Sequence, residues 1–344
     1  MKVLVVSNMA PFVWGGAEQL ATHLVEHLER AGHEAELMRI PFAWEPAHRI
    51  PTQMVMTRLL EIENVDRVVA LKFPAYLVRH PNKVLWLVHQ YRQAYDMWDS
   101  GMTNLPPGEA GEALRRVIIR GDRTAFDECA TIFTISDVVQ RRLQHYAGRR
   151  SEVMRAPLND PELFPGGARG GYVFAGGRVN AMKRQALLVE AMAHADPRAR
   201  LVVAGPPDSP ADAEALRHTV ERLDLGSRVT LDLRFLTRRE YAKYVCGASA
   251  VAYIPLDEDS FGYVSMEGAT AGKALVTTTD SGGVLALVQD GVTGWVAEPE
   301  PLHLGDVLSQ AIFSPLSARF GAAARETWLG LGISWERTVE RLTS

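Results

Sequence analysis

Short apolar runs alternate with amphipathic stretches along the whole chain. Val3-Leu4-Val5-Val6 is an apolar run rich in β-branched side chains, which predicts a buried strand. A glycine-bearing segment, Asn8 to Glu18, follows it. Residues 17–30 then place Leu20, Leu24 and Leu28 on one helical stripe, with Gly32 at the C-cap position. His33–Ile40 and Val65–Leu71 predict further strands, as does Lys83–Val88, which ends at His89. A long helix over Glu112–Glu128 and a strand over Thr131–Ile135 come next. A helix to about Tyr146 and a short strand over Val153–Pro157 close the first half. Strand, glycine loop, helix, strand is the start of a doubly wound α/β domain.

Pro157 to Gly171 holds three prolines and four glycines, which marks a domain boundary. The alternation then restarts. Strands are predicted at Tyr172–Gly176, Leu201–Gly205, Val229–Leu233, Ala250–Ile254 and Ala274–Thr278. The intervening helices are Lys183–Ala195, Ala211–Leu223, Arg238–Cys246 and Tyr263–Ala271. This second open α/β unit is expected to build a parallel sheet. Leu316–Leu342 reads as helix, broken at Gly330-Leu331-Gly332.

Composition narrows the class. At 344 residues, 47% hydrophobic and 23% charged, the chain fits about two ordinary globular domains. Lys plus Arg is 37 against 41 for Asp plus Glu, so no overall basicity points to nucleic acid. Cys129 and Cys246 alone make no disulfide framework and no metal-ligand spacing, which fits a reducing compartment. No apolar run approaches the ~20 residues that span a bilayer. The N-terminus lacks the core and cleavage site of a signal peptide, so a cytoplasmic chain starting at Met1 is expected. Residues 112–155 hold nine arginines and six acids, Arg141, Arg142, Arg149 and Arg150 being the dense part. That face is either plain solvated surface or a peripheral contact with anionic lipid at the inner membrane face.

Five groups of residues could carry chemistry. Asp259 and Glu267 are two carboxylates eight residues apart, with Phe261-Gly262 at the start of the helix that carries Glu267. Helix N-termini offer unpaired N–H groups to phosphate, and a carboxylate slightly deeper can take ribose hydroxyls. A loop acid and a surface Glu is the plainer alternative. Arg178 and Lys183, five residues apart at a strand–helix junction, can converge on a diphosphate, or simply be solvated. Gly15-Gly16 permits close backbone approach to a ligand but lacks the dinucleotide fingerprint G-x-G-x-x-G. His89 closes a strongly apolar strand and is either a structural residue or a donor or base. Asp280-Ser281-Gly282-Gly283 forms either an ordinary turn or one lined with N–H groups near phosphate.

In this order, these motifs resemble the retaining nucleotide-sugar glycosyltransferases of the GT-B fold, and more narrowly glycosyltransferase family 4. The resemblance covers nearly the whole chain. It implies an α/β architecture of two Rossmann-like domains facing across a cleft: residues 1–160 for the acceptor, 161–315 for the nucleotide sugar, and a helical segment, 316–344, packing back on the first domain. By the resemblance, Glu267 binds ribose hydroxyls and Asp259 contacts the donor sugar, where the family usually has Glu; Glu258 is adjacent but one position out of register. Arg178 and Lys183 match the diphosphate-binding pair. Gly15 and Gly16 match the loop near the phosphates and acceptor, and His89 the histidine lining the transferred sugar. Leu233 lies in the segment flanking the base. Phe261 and Gly262 border the phosphates. Ile333-Ser334-Trp335-Glu336 resembles the family's C-terminal Ser-Trp element, whereas Ala286 stands nearest the place of an expected Glu.

The resemblance implies transfer of a sugar from a nucleoside-diphosphate sugar to a hydroxyl acceptor, with retained anomeric configuration and no metal. The catalytic set would be His89, Arg178, Lys183, Asp259 and Glu267, in bacterial glycan or glycoconjugate synthesis. The acceptor would be a glycan, a lipid-linked molecule or a small molecule, and no nucleic acid is involved. Two alternatives stay open: a non-catalytic nucleotide-sugar-binding or partner subunit, and a sugar-nucleotide epimerase on the same fold. Base, sugar and acceptor are not fixed by sequence.

Overall fold

The computed structural model describes residues 1–344, which divide into two units. Met1–Pro157 with Ile333–Ser344 is the first, and Leu158–Gly332 the second.

The first unit has strands β1 (Lys2–Met9), β2 (Glu34–Pro41), β3 (Arg67–Ala70), β4 (Lys83–Leu87), β5 (Thr131–Thr134) and β6 (Glu152–Val153). Its helices are α1 (Gly16–Arg30), α2 (Ile50–Arg58), α3 (Asp96–Asp99), α4 (Glu109–Asp127) and α5 (Asp137–Ala147). The sheet is wholly parallel, in the order β2-β1-β3-β4-β5-β6. Parallel strands covered on both faces need continuous apolar sequence. β4 meets this even at Lys83, which is fully buried because its Nζ donates to the Tyr76 and Val78 carbonyls at 3.0 and 2.9 Å. The stripe Leu20, Leu24 and Leu28 of α1 is buried in the same core. Ser136 starts α5 by accepting a hydrogen bond from the Val139 N–H, and Gly148 in the left-handed region ends it.

The second unit has β7 (Val173–Gly176), β8 (Leu201–Ala204), β9 (Val229–Asp232), β10 (Ala250–Ala252), β11 (Ala274–Thr278) and β12 (Gly294–Ala297). Its helices are α6 (Gln185–Met192), α7 (Pro210–Arg222), α8 (Arg238–Gly247), α9 (Tyr263–Thr270), α10 (Pro301–Phe313) and α11 (Leu316–Gly330). The parallel order is β12-β11-β10-β7-β8-β9. The direction of winding reverses between β7 and β10 here, and between β1 and β3 in the first unit. Loops leaving two such strands turn to opposite faces, so each sheet opens a crevice at its carboxyl edge at that point.

The final helix, α12 (Trp335–Thr343), belongs to the first unit. Trp335 stacks on the His27 ring of α1 at 4.6 Å and meets Trp86 of β4 edge-on at 6.4 Å. Val339 and Leu342 are buried beside it, and Arg67 Nη1 donates to the Leu342 carbonyl at 2.8 Å.

Three expectations change. The returning segment begins at Ile333 rather than 316, because α11 packs inside the second unit, where Phe320 meets Trp295 at 4.8 Å. The division falls at Pro157 and Leu158 rather than at 160 and 161. The helix expected from Lys183 starts at Gln185, since Arg184 has φ +54° and breaks the run. The pattern also passes over α2, β12 and α10.

Candidate functional site

At the β7/β10 reversal the loop after β7 carries Arg178 and Lys183, and the loop after β10 carries Glu258 and Asp259. Arg178, about a third exposed, donates from Nη1 to Asp208 Oδ1 at 3.1 Å. Lys183 Nζ donates to the Tyr253 hydroxyl at 2.7 Å and is ion-paired with Glu258, whose Oε2 also accepts from that hydroxyl at 2.8 Å. Each cation is therefore matched by an acid, and both pairs are only partly buried. Such pairs are worth about 0–1 kcal/mol when exposed, so a diphosphate can compete for these cations. Asp259 is 8% exposed, and its neighbour Glu258 is the acid that takes Lys183.

Arg184 ties the loops together. It donates to both Asp280 oxygens at 2.7 Å, to the Ile254 and Pro255 carbonyls at 2.8 and 3.0 Å, and to Thr278 Oγ1 at 2.8 Å. The Asp280–Gly283 turn is thereby a brace, with its carboxylate spent on Arg184. Gly282 has φ +66°, and a Cβ there would lie 2.5 Å from the Glu258 carbonyl oxygen; the Gly283 N–H donates to that oxygen at 2.7 Å. These glycines let the chain close against Glu258.

Gly262 is the N-cap of α9; its φ is +71°, and a Cβ added there would lie 2.2 Å from a Tyr253 ring carbon. Only glycine fits, and no side chain caps the helix. First-turn N–H groups are left without intrahelical partners. The Phe261 side chain is buried edge-on to Trp328 at 6.3 Å, so it holds the turn in place and only its backbone borders the helix start. Leu233 likewise packs against the core of the second unit.

Glu267, the fifth residue of α9, is 1% exposed. Its Oε1 accepts from Arg238 Nη1 at 2.7 Å, while Oε2 is buried without a partner. Burial pushes this carboxyl up to about 7, against the opposing pull of the Arg238 guanidinium.

In the first unit, the β1/β3 reversal holds Gly15, the N-cap of α1, and Gly16, its first residue. One turn on, Glu18 Oε1 accepts from Lys72 Nζ at 2.5 Å, and Lys72, just past β3, is 8% exposed. His89 Nδ1 lies 2.8 Å from the Gln90 carbonyl. Asn8 Oδ1 and Gln90 Nε2 are buried without partners. The second unit's crevice thus brings together Arg178, Lys183, Asp259, Gly262 and Glu267, and the first unit carries Gly15, Gly16 and His89. Sequence reasoning missed Lys72, Tyr253 and Arg238. Lys72 was findable by the signal that picked out His89, a polar residue closing an apolar strand. No group of three or more His, Cys, Asp or Glu side chains is placed to hold a metal ion.

Residues 169–327 match the family described as Glycosyl transferases group 1. The chain is 25% identical over 276 residues to the D-inositol 3-phosphate glycosyltransferase of Mycolicibacterium smegmatis, covering 75% of this chain and 61% of that protein. It spans between 26% and 61% of the length of the curated relatives it matches. Sucrose-phosphate synthase from Thermosynechococcus elongatus superposes with a TM-score of 0.79 at 16% identity, covering 100% of this chain and 98% of that one. The Anabaena protein HepE in complex with UDP-glucose superposes at 0.74 with 17% identity, over the same shares. The fold is GT-B, and residues 169–327 are similar to the Glycosyl transferases group 1 family.

Proposed function

We propose that the chain is a retaining glycosyltransferase that moves a sugar from a nucleoside-diphosphate sugar to a hydroxyl acceptor, in bacterial glycan or glycoconjugate synthesis. The observation that carries this reading is the set at the β7/β10 reversal: two cations after β7 beside an uncapped helix start, with a buried carboxylate one turn deeper. Its chemistry fits both ends of a nucleoside diphosphate. The matched relatives named as glycosyltransferases, and the fold shared with a UDP-glucose complex, support it.

Breaking the anomeric C–O bond puts positive charge on the sugar and negative charge on the leaving diphosphate. Arg178 and Lys183 would take that negative charge, released from Asp208 and Glu258 as it develops, with the α9 N–H groups beside them. Glu267 would take the ribose hydroxyls. Asp259 and His89 would contact the sugar. No carboxylate is needed as a covalent nucleophile in front-face transfer, where the departing phosphate oxygen helps deprotonate the acceptor. The acceptor would dock on the first unit, where Asn8 Oδ1 and Gln90 Nε2 have polar capacity to spare. Two unpaired cysteines fit a cytoplasmic setting. No helix is long and apolar enough to cross a membrane. A lipid-linked acceptor would bring Arg141 and Arg150 to an anionic surface.

The test is turnover of the donor selected by a nucleotide-sugar panel. Arg178→Ala and Lys183→Ala should each lower kcat/KM by about 100-fold or more. Near-native turnover in both removes the mechanism.

A further inference from the structure

We infer that Arg238 is a positioning residue for the nucleoside end of the donor: clamped by Asp160, it fixes Glu267 so that one oxygen, Oε2, is left for the ribose hydroxyls. This rests on the donor reading above.

Arg238 is the first residue of α8, and its backbone is set by a capping box. Thr237 accepts from the Glu240 N–H, and Glu240 Oε2 accepts from the Thr237 N–H at 2.9 Å. The guanidinium then uses its fork. Nε and Nη2 donate to the two Asp160 oxygens at 2.8 and 2.7 Å, and Nη1 donates to Glu267 Oε1 at 2.7 Å. Its Cζ lies over the Phe164 ring, 5.2 Å from the centroid, and over the Tyr241 ring at 5.5 Å. The two-point contact with Asp160 fixes the direction of the fork, and lysine could not copy it.

The consequence falls on Glu267. A carboxylate at 1% exposure is costly unless paired and hydrogen-bonded. Here one oxygen is satisfied and the other is not, and the Tyr263 hydroxyl on the first turn of the same helix is also buried without a partner. Native proteins leave few such groups unmet, and each calls for an explanation. A ligand diol that donates to Oε2 supplies one. The charged and titratable groups facing Glu267 are Arg238 and Tyr241 from α8, Asp160 ahead of them, and Tyr263 from α9.

The readout is selectivity for the ribose hydroxyl. Calorimetry with UDP, GDP and ADP finds the nucleotide that wild type binds, and its 2′-deoxy counterpart is then titrated from pH 5.5 to 8.5. Wild type should prefer the ribonucleotide about tenfold. Arg238→Gln should weaken ribonucleotide binding by about 10- to 100-fold, erase that preference, and move the acid limb of binding to higher pH. The limb moves up because Glu267 without its cation holds its proton longer. With the matching donor, KM should rise while kcat stays within about threefold. Arg238→Lys should recover part of the affinity.

Arg238→Gln with wild-type affinity and preference, beside a Glu267→Gln variant that loses both, overturns the positioning role and leaves the site reading intact. Glu267→Gln that binds like wild type, or a wild type that binds none of the nucleotides, overturns the reading and the inference together. Should Arg238→Gln fail to fold, Asp160→Asn keeps the Arg238–Glu267 contact. It should weaken binding less but shrink the same preference, and an unchanged preference there overturns the inference.

Discussion

Two carboxyl groups are buried deeply enough to titrate near neutrality, Glu267 in the second unit and Asp122 in the first. Asp122, on α4, is fully buried, and burial pushes it up to about 7 although the Tyr95 hydroxyl donates to its Oδ2 at 2.7 Å. The native state therefore holds a proton that the unfolded chain has lost between about pH 4 and 7. Its contribution to stability falls as pH rises through that window, and the full cost is present above it. Asp122→Asn keeps an acceptor for Tyr95 and removes the titration. We expect it to be more stable than wild type by about 2–4 kcal/mol at pH 8, with the gap closing towards pH 5; melting curves across pH check this. An equal gap at both ends would show that the charge is not the cause. At this scale, sequence reading reaches residues whose role is set by a strand end or helix start close by. Arg178, Lys183, Gly262 and Glu267 are of that kind. Arg238 was read only as the first residue of a helix, because its importance comes from Asp160 and Glu267, which lie 78 and 29 residues away along the chain. Glu258 was seen as one position out of register, and only the structure shows it taking Lys183.

Elements were legible where an apolar period runs to a clear stop. Ala274–Thr278 was read with both ends in place, because all five residues are buried and Gly272 and Asp280 stand outside them. α2 was not legible, since Val55, Met56 and Leu59 face solvent and leave no apolar stripe to read. The helix start at Gly262 gives an element-scale prediction. Gly262→Ala forces a left-handed backbone on a residue with a Cβ and drives that Cβ into Tyr253. The second unit should lose about 1–3 kcal/mol of stability. Nucleotide binding should weaken too, because Tyr253 also holds Lys183 and Glu258. A thermal melt with and without nucleotide measures both, and wild-type values would mean that the turn has room to relax.

For the whole molecule, two doubly wound units were legible from the restart of alternation after the Pro/Gly-rich segment. The chain's return to its first unit was legible only from the Ser334-Trp335 resemblance, and its starting point was placed too early. The return has a measurable weight. Trp335, Val339 and Leu342 are each under 5% exposed, and burying such side chains is worth about 1.5–3 kcal/mol apiece. Ending the chain at Gly332 should therefore destabilise the first unit by roughly 5 kcal/mol or more and leave the second unit's unfolding transition in place. Calorimetry resolving the two transitions decides it, and an unshifted first transition would mean α12 adds nothing. Synthesis meets the same fact in time. A ribosome makes the first sheet early, then translates all of residues 158–332 before Trp335 exists to cover His27 and Trp86. Throughout that interval the nascent first unit lacks α12, and the domain made last is the first that can finish folding.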